Sequence, residues 1–397
     1  MIKKALFSLA LAGILLLGCQ KEETLVNTGE ELQTGQQDLK NGDIIPGSFV
    51  VVFNHDNSQK AIPANYDDMV AAAKKDVTAF LDGYGIPSTK ILQVYGDVIN
   101  GFAAELTELQ VNAILKDSKV AYIEPDRWVV LDYKIVSTET SAAKAQTIPW
   151  GITRVGGAVN YSGTNAAWII DTGIDLDHPD LNVDVARSKS FVPRGKTPDD
   201  DNGHGSHVAG TIAAINNTIG VVGVSAGAPV VAVKVLDRKG SGAYSTIISG
   251  VNYVASTGNS GDVANMSLGG PTYQALDDAV LAASNKGIKF CLAAGNESTD
   301  ANNSSPARVN GTYIYTISAM DSADKFASFS NYGNPPIDYC APGVSIYSTY
   351  KSGGYATLSG TSMASPHACG VVMLGSPHTD GYVLNDPDGN PDPIIHR

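Results

Sequence analysis

Residues 229–257 read "PVVAVKVLDRKGSGAYSTIISGVNYVAST". The apolar run at the start predicts a strand buried on both faces, and residues 244–257 predict a helix packed behind it. The same alternation extends outward. "AAWIID", "VANMSL", "IKFCLAAG" and "YIYTISAM" read as strands, and "HVAGTIAAI" and "ALDDAVLAASNKG" read as helices. Continuous apolar strands separated by helical patterns imply an α/β architecture, a parallel sheet with helices on both faces. The 41 glycines suit many tight loops around such strands better than a helical bundle. With 43% hydrophobic residues, 17% charged residues and a net charge of −13, the 397-residue chain is globular and lacks the basic surplus a nucleic-acid binder needs.

Ahead of this region, residues 46–130 alternate as β-α-β-β-α-β, from "SFVVVF" to "VAYIEPD", which predicts a small ferredoxin-like domain. Residues 131–144 are polar without apolar periodicity and read as an exposed linker. The chain opens "MIKKALFSLALAGILLLGC", two lysines and an apolar run too short to span a bilayer. Residues 1–18 therefore read as an export signal. "LLGC" resembles the lipobox of bacterial lipoproteins, which implies acylation of Cys19 and makes residues 19–45 a lipidated tether; a plain secretory signal is the alternative. Cys291, Cys340 and Cys369 show no C-x-x-C spacing. They are expected to be buried small apolar residues, although export would permit one disulfide among them.

Four further segments carry chemistry. In "SGTSMASPHACG" (359–370), Gly360 permits a sharp turn and Ser362 falls at a helix start, where unpaired N–H groups favour negative charge. A lone serine there is a helix cap; only partners make it a nucleophile. "DDDNGHGSHVAGTIAAI" places His204 and His207 at another helix start, with no third ligand to make a zinc site. "AAWIIDTGID" places Asp171 at the end of a buried strand, where open α/β sheets bind their ligands. "CLAAGNES" ends a strand at Asn296, whose amide can donate to an oxyanion. Acid, base, nucleophile and oxyanion donor together point to acyl transfer.

"IIDTGID", "GHGSHVAGTIAA", "NMSLGG", "AAGNES" and "GTSMASPH" resemble the signature segments of subtilisin-type serine proteases, in that family's order of acid, histidine and serine. The resemblance implies a subtilisin-like catalytic domain over residues 145–397 and an exported endopeptidase. Asp171 would orient the imidazole, His204 act as base and then acid, Ser362 attack the carbonyl, and Asn296 hold the oxyanion. "GSGAYS" (Gly240, Ser241 and Gly242) and "SLGG" (Ser267, Leu268 and Gly269) resemble the edges between which a substrate lies as an added strand. Gly269, Ala294 and Gly295 would line an uncharged pocket, giving broad cleavage after apolar or aromatic residues. "AINNTIGVVG" (214–223) resembles the family's calcium loop. Its implied ligands are the Asn217 side chain and the carbonyls of Ile215, Ile219 and Val221, with Asp180 and Gln146; a metal-free turn is the alternative.

"AQTIPWG" (145–151) resembles a subtilisin mature N-terminus, which implies processing near Lys144–Ala145. Residues 46–130 then resemble the propeptide, a folding assistant and intramolecular inhibitor. Partners would be protein or peptide substrates. The membrane would be met only through the lipidated precursor, and maturation would release a soluble monomer. From about residue 374 the resemblance fades into "GSPHTDGYVLNDPDGNPDPIIHR", expected to be irregular and solvated, with weak calcium binding by His378 and the aspartates from Asp380 on as the alternative. Cys369 stands where the family usually has a small apolar residue, which raises thiol-reactive inhibition. Two rival readings remain: an aspartic protease built on Asp171-Thr172-Gly173, and a catalytically idle binding module on the same fold.

Overall fold

The computed structural model describes residues 39–54, 65–139, 145–193, 195, 197–375 and 377–397; the export-like run and Cys19 lie outside the described residues. Residues 39–397 form one unit. It begins with β1 (Ile44–Phe53), α1 (Tyr66–Asp82), β2 (Ile91–Tyr95), β3 (Gly101–Glu105), α2 (Glu108–Ile114) and β4 (Val120–Val130), the predicted β-α-β-β-α-β order. The strands pair as β4-β1-β3-β2, and Val77, Leu81 and Ile114 of the helices pack on Val51, Phe102 and Ala104. Both helices start on side-chain caps: Asn65 accepts from the Asp68 N–H, and Thr107 and Gln110 form a capping box.

The stretch expected as an exposed linker contains β5 (Lys134–Glu139). Its side chains are exposed over residues 134–138, so it has no core-facing pattern, and it is held by pairing to a strand more than 200 residues away.

From Ala145 the elements run α3 (Trp150–Arg154), β6 (Val159–Asn160), β7 (Ala167–Asp171), β8 (Lys189–Ser190), α4 (His204–Ala213), β9 (Ser225–Ala226), β10 (Val230–Lys234), β11 (Ser241–Ala243) and α5 (Tyr244–Thr257). Next come β12 (Val263–Met266), β13 (Gly270–Pro271), α6 (Gln274–Ser284), β14 (Lys289–Ala293), β15 (Ser304–Ser305) and β16 (Ile314–Met320). The last are β17 (Ile337–Pro342), β18 (Ile346–Tyr350), β19 (Gly354–Ser359), α7 (Thr361–Leu374), β20 (His378–Tyr382) and β21 (Pro393–His396). The main sheet is ordered β20-β21-β17-β16-β14-β12-β7-β10-β8. All its pairs are parallel except β20 with β21. Alternate residues of one strand serve the two faces: Trp168 and Ile170 pack with α5 and α6, while Ala167 and Ile169 pack with α4 and α7. Truncating a residue such as Ile169, fully buried on that second face, would cost about 2–5 kcal/mol.

The tail corrects an expectation. Residues after Met373 are not irregular: β21 pairs with β17 through Ile394 and Cys340, and Val383, Ile394 and Ile395 are buried. A short apolar "PII" in a polar segment was enough to extend the sheet. Cys291, Cys340 and Cys369 are free and buried. Burial pushes the Cys291 and Cys340 thiols up, and full burial of Cys369 argues against the thiol-reactive inhibition expected there. Among the described residues no helix is long and apolar enough to cross a membrane.

The N-terminal domain is fastened to the helices beneath it. Neither α5 nor α6 has a capping side chain of its own. Asp126 accepts from the Ser245 hydroxyl at 2.6 Å and the Ser245 N–H at 3.2 Å, at the start of α5. Glu124 accepts from the N–H groups of Gln274 and Ala275 at 3.1 and 2.9 Å, at the start of α6. Two carboxylates thus satisfy orphan donors and meet the positive ends of both helix dipoles.

Candidate active site

β7 ends at Asp171, which is fully buried, and α4 begins at His204, also fully buried. Gly203 caps that helix at φ +113°, and a Cβ there would come within 2.3 Å of the Tyr350 ring, so only glycine fits. His204 Nδ1 lies 2.8 and 3.0 Å from the two Asp171 carboxylate oxygens. A carboxylate only accepts, so Nδ1 carries the proton and Nε2 presents its lone pair. Nε2 has no hydrogen-bond partner.

A residue the sequence reading passed over locks this pair. Asp200 accepts from the N–H groups of Asn202, Gly203 and Ser206 and from the hydroxyls of Ser206 and Thr172, all at 2.7–3.0 Å. Thr172 Oγ1 in turn accepts from the Gly205 N–H at 2.9 Å. The strand end bearing the acid and the helix start bearing the base are therefore stitched together.

Ser362 is the second residue of α7. Its Oγ donates to the Ser267 carbonyl at 3.1 Å, while Ser267 Oγ donates to the Ser362 carbonyl at 2.8 Å. The nucleophile candidate is thus held at the helix N-terminus but rotated onto Ser267 rather than bonded to His204. Asn296 faces the same helix start. Its Oδ1 accepts from the Thr361 N–H at 2.8 Å and the Thr361 hydroxyl at 3.0 Å. A backbone N–H can only donate, which fixes the amide and aims Nδ2 into the cleft. Asn331, also missed, frames this loop by donating to the Ala294 carbonyl and accepting from the Glu297 and Thr299 N–H groups.

The cleft contains the protein's own chain. β4 pairs antiparallel with β11, Val130 opposite Ser241 and Val129 opposite Gly242, and the Leu131 N–H donates to the Gly240 carbonyl at 3.0 Å. On the other side, Asn41 accepts from the Val130 N–H and donates to the Gly269 carbonyl. Asp132 then lines a cavity with Leu268, Gly269, Ala294, Gly295, Asn296 and Ser362, and its carbonyl accepts from Asn296 Nδ2 at 2.5 Å. The residues expected to bind an extended peptide are gathered around one. The cut expected beside Lys144 falls on residues 140–144, outside the described residues.

The six residues expected to hold calcium also assemble. Gln146 Nε2 faces the carbonyls of Ile215 and Val221 at 2.8 and 3.1 Å and Asn217 Oδ1 at 3.4 Å. Asn217 donates to Asp180 at 2.8 Å, and the Val221 N–H donates to Asp180 at 3.0 Å. The Ile219 N–H donates to Asn217 Oδ1 at 2.7 Å, and Ala145 and Thr147 bridge Ile219 and Val221. Three oxygens, the carbonyls of Ile215 and Val221 and Asn217 Oδ1, thus converge on one amide nitrogen, while Asp180 faces Asn217 and the Val221 N–H and Ile219 contributes its N–H.

Two alternatives lose their footing. His207 Nε2 contacts the carbonyls of Ile346 and Ala356 at 3.0 and 3.2 Å, and burial holds its pKa down at about 3, so it is a buttress for β18 and β19 rather than a zinc ligand. Asp171 pairs with a histidine rather than a second carboxylate, which removes the aspartic-protease reading.

Residues 168–376 match the Subtilase family, and residues 48–132 match Peptidase inhibitor I9. Subtilisin E of Bacillus subtilis (strain 168) is 42% identical over 316 residues, 77% of this chain and 76% of that protein. Alkaline serine exoprotease A of Vibrio alginolyticus is 40% identical, over 73% of this chain and 54% of its own length. A solved structure described as a cold adapted subtilisin-like serine proteinase aligns at TM-score 0.50 with 42% identity, covering 57% of this chain and 83% of that one. This chain belongs to the subtilase family: it is a subtilisin-like serine endopeptidase that carries an I9 propeptide domain.

Proposed function

We propose that the enzyme hydrolyses peptide bonds through Asp171, His204 and Ser362, with Asn296 as oxyanion donor, and that its first substrate is its own Asp132–Tyr133 bond. The observation that carries this reading is the Asp132 carbonyl held by Asn296 Nδ2 beside the bare Nε2 of His204. Rotation of Ser362 about χ1 would bring Oγ from the Ser267 carbonyl toward that base. His204 then takes the hydroxyl proton as Oγ adds to the carbonyl carbon, and Asp171 stabilises the imidazolium. The oxygen gains negative charge where the Asn296 amide and the positive end of α7 already point. Imidazolium protonates the leaving amine, and water repeats the sequence on the acyl-enzyme to give a carboxylate.

Substrates bind by main-chain pairing to Gly240–Gly242, as residues 129–131 do, and to Ser267–Gly269, so selectivity rests with the pocket walled by Leu268, Gly269, Ala294 and Gly295, with Glu297 also in its lining, and favours apolar or aromatic side chains. A calcium ion held by Gln146, Asp180, Ile215, Asn217, Ile219 and Val221 would stabilise the fold, with the Gln146 amide turned to present its oxygen. Export through residues 1–18, lipidation of Cys19 and release of a mature domain of residues 145–397 complete the reading. The test is expression from residue 20 with and without Ser362→Ala. Only the parent chain should yield new N-termini, at Tyr133 and near Ala145, together with hydrolysis of a chromogenic peptide ending in phenylalanine. Folded, uncut and inactive protein in both cases would favour the idle binding module instead.

A further inference from the structure

The chain does not leave the cleft after Asp132. The Tyr133 ring lies 4.6 Å from that of His204, tilted by 44°, and its hydroxyl donates to Asn202 at 3.2 Å. β5 then adds antiparallel to β19: Lys134 faces Ser359, Ile135 faces Leu358, Ser137 faces Thr357 and Glu139 faces Tyr355. The side chains of residues 134–138 are exposed and Glu139 accepts from the Tyr347 hydroxyl at 3.1 Å, so recognition is chiefly through the main chain, as for any added strand.

The edge that receives this strand is rigid with respect to the catalytic histidine. His207, one turn along α4 from His204, binds the Ile346 and Ala356 carbonyls of the β18–β19 hairpin. Ser348 Oγ donates to the His207 carbonyl at 2.8 Å, and Thr349 Oγ1 donates to the Ser206 carbonyl at 2.6 Å. Beyond Glu139, five residues lead to Ala145, which is itself bridged to Ile219. A strand tied this closely rebinds at an effective concentration on the order of millimolar.

We propose that Tyr133–Glu139, docked on the β19 edge, is an inhibitory strap separate from the I9 domain. The proposal rests on the protease reading above. Hydrolysis of Asp132–Tyr133 breaks the C–N bond: water supplies the new Asp132 carboxylate oxygen, and Tyr133 keeps a free amine. The I9 domain can then dissociate, but the strap remains on β19 with its aromatic ring against the base. Full access for long substrates waits for a second cut ahead of Ala145.

The test uses the full chain with residues 134–138 replaced by five Gly and Ser residues, a change confined to exposed side chains. In the Ser362→Ala background, amide exchange over residues 354–359 should quicken at least tenfold on replacement. In the active background, sampled when residue 133 is the N-terminus, KM for a peptide with four residues on each side of the cut should fall at least tenfold, with kcat within twofold. Tyr133→Ala, which keeps the strand but removes the ring, should give an intermediate KM. Unchanged exchange in β19, or an unchanged KM, overturns the strap. Absence of turnover in every active-background chain overturns the protease reading, and exchange alone then decides whether the strand docks.

Discussion

Asn296 holds the Asp132 carbonyl at 2.5 Å with an amide whose oxygen is pinned by Thr361. The donor is therefore oriented before any charge develops. Asn296→Leu keeps the side-chain size and removes the donor, so kcat should fall about 10²–10³-fold with little change in KM, a magnitude known from subtilisin itself rather than obtained from this geometry. Steady-state kinetics on a chromogenic peptide checks it, and appearance of the Tyr133 N-terminus should slow in parallel.

Asp132 lines a cavity together with Leu268, Gly269 and Ala294. An aromatic side chain would bury apolar surface there without desolvating a charge. Asp132→Phe should speed self-cleavage about tenfold or more, measured as loss of full-length chain against time. An unchanged or slower rate would show that this pocket does not read the residue before the cut.

Glu124 caps α6 from the propeptide side. Losing a cap costs about 0.5–2 kcal/mol. After cleavage, Glu124→Ala should therefore shorten the lag before full activity by a factor of about two to thirty, read from progress curves. The same variant should leave the Asp132 cut site unchanged by N-terminal sequencing.

Calcium should appear as a stability difference. A ligand at 100 times its Kd adds about 2.7 kcal/mol, so a chelator should lower the thermal midpoint of Ser362→Ala precursor by several degrees. Gln146→Ala should shrink that chelator-dependent gap, whatever it does to the midpoint itself. An identical gap in both proteins would remove Gln146 from the site.

Asp392 is buried, bonded to Ser318, and pushed up to about 7 by burial, with Asp386 and Asp388 adding to the shift. A carboxyl raised in the fold is protonated there while the unfolded chain has already released its proton. Its contribution is thus fully present below about pH 4 and is lost as pH rises through about 7. Asp392→Asn should match the parent near pH 4 and exceed it by roughly 2–4 kcal/mol at pH 8, seen as a higher midpoint only at the alkaline end.

The sheet, the I9 domain and the placing of Asp171, His204 and Ser362 at strand and helix ends were legible because each is written locally: apolar runs for β7 and β10, glycine-flanked helix starts for His204 and Ser362. Asp200 and Asn331 were not, since their importance lies in which backbone N–H groups the fold brings to them. β5 and β21 escaped for another reason. Ile135 and Val136 are good strand formers, and Ile394 and Ile395 are good core residues, but each run is short and its partner strand is distant in sequence. Long-range pairing leaves no local period to read.

Three unpaired thiols lie in the interior, two of them on β14 and α7. Once folded, they are shielded from oxidants. Until β14 and α7 pack, however, an exported chain would present three reactive sulfurs in surroundings that favour disulfides, and any wrong pair would bar the sheet from closing. Speed of folding is then chemical protection as well as convenience. A propeptide domain that caps α5 and α6 would do for an exported chain what a reducing compartment does for a protein that never leaves the cell.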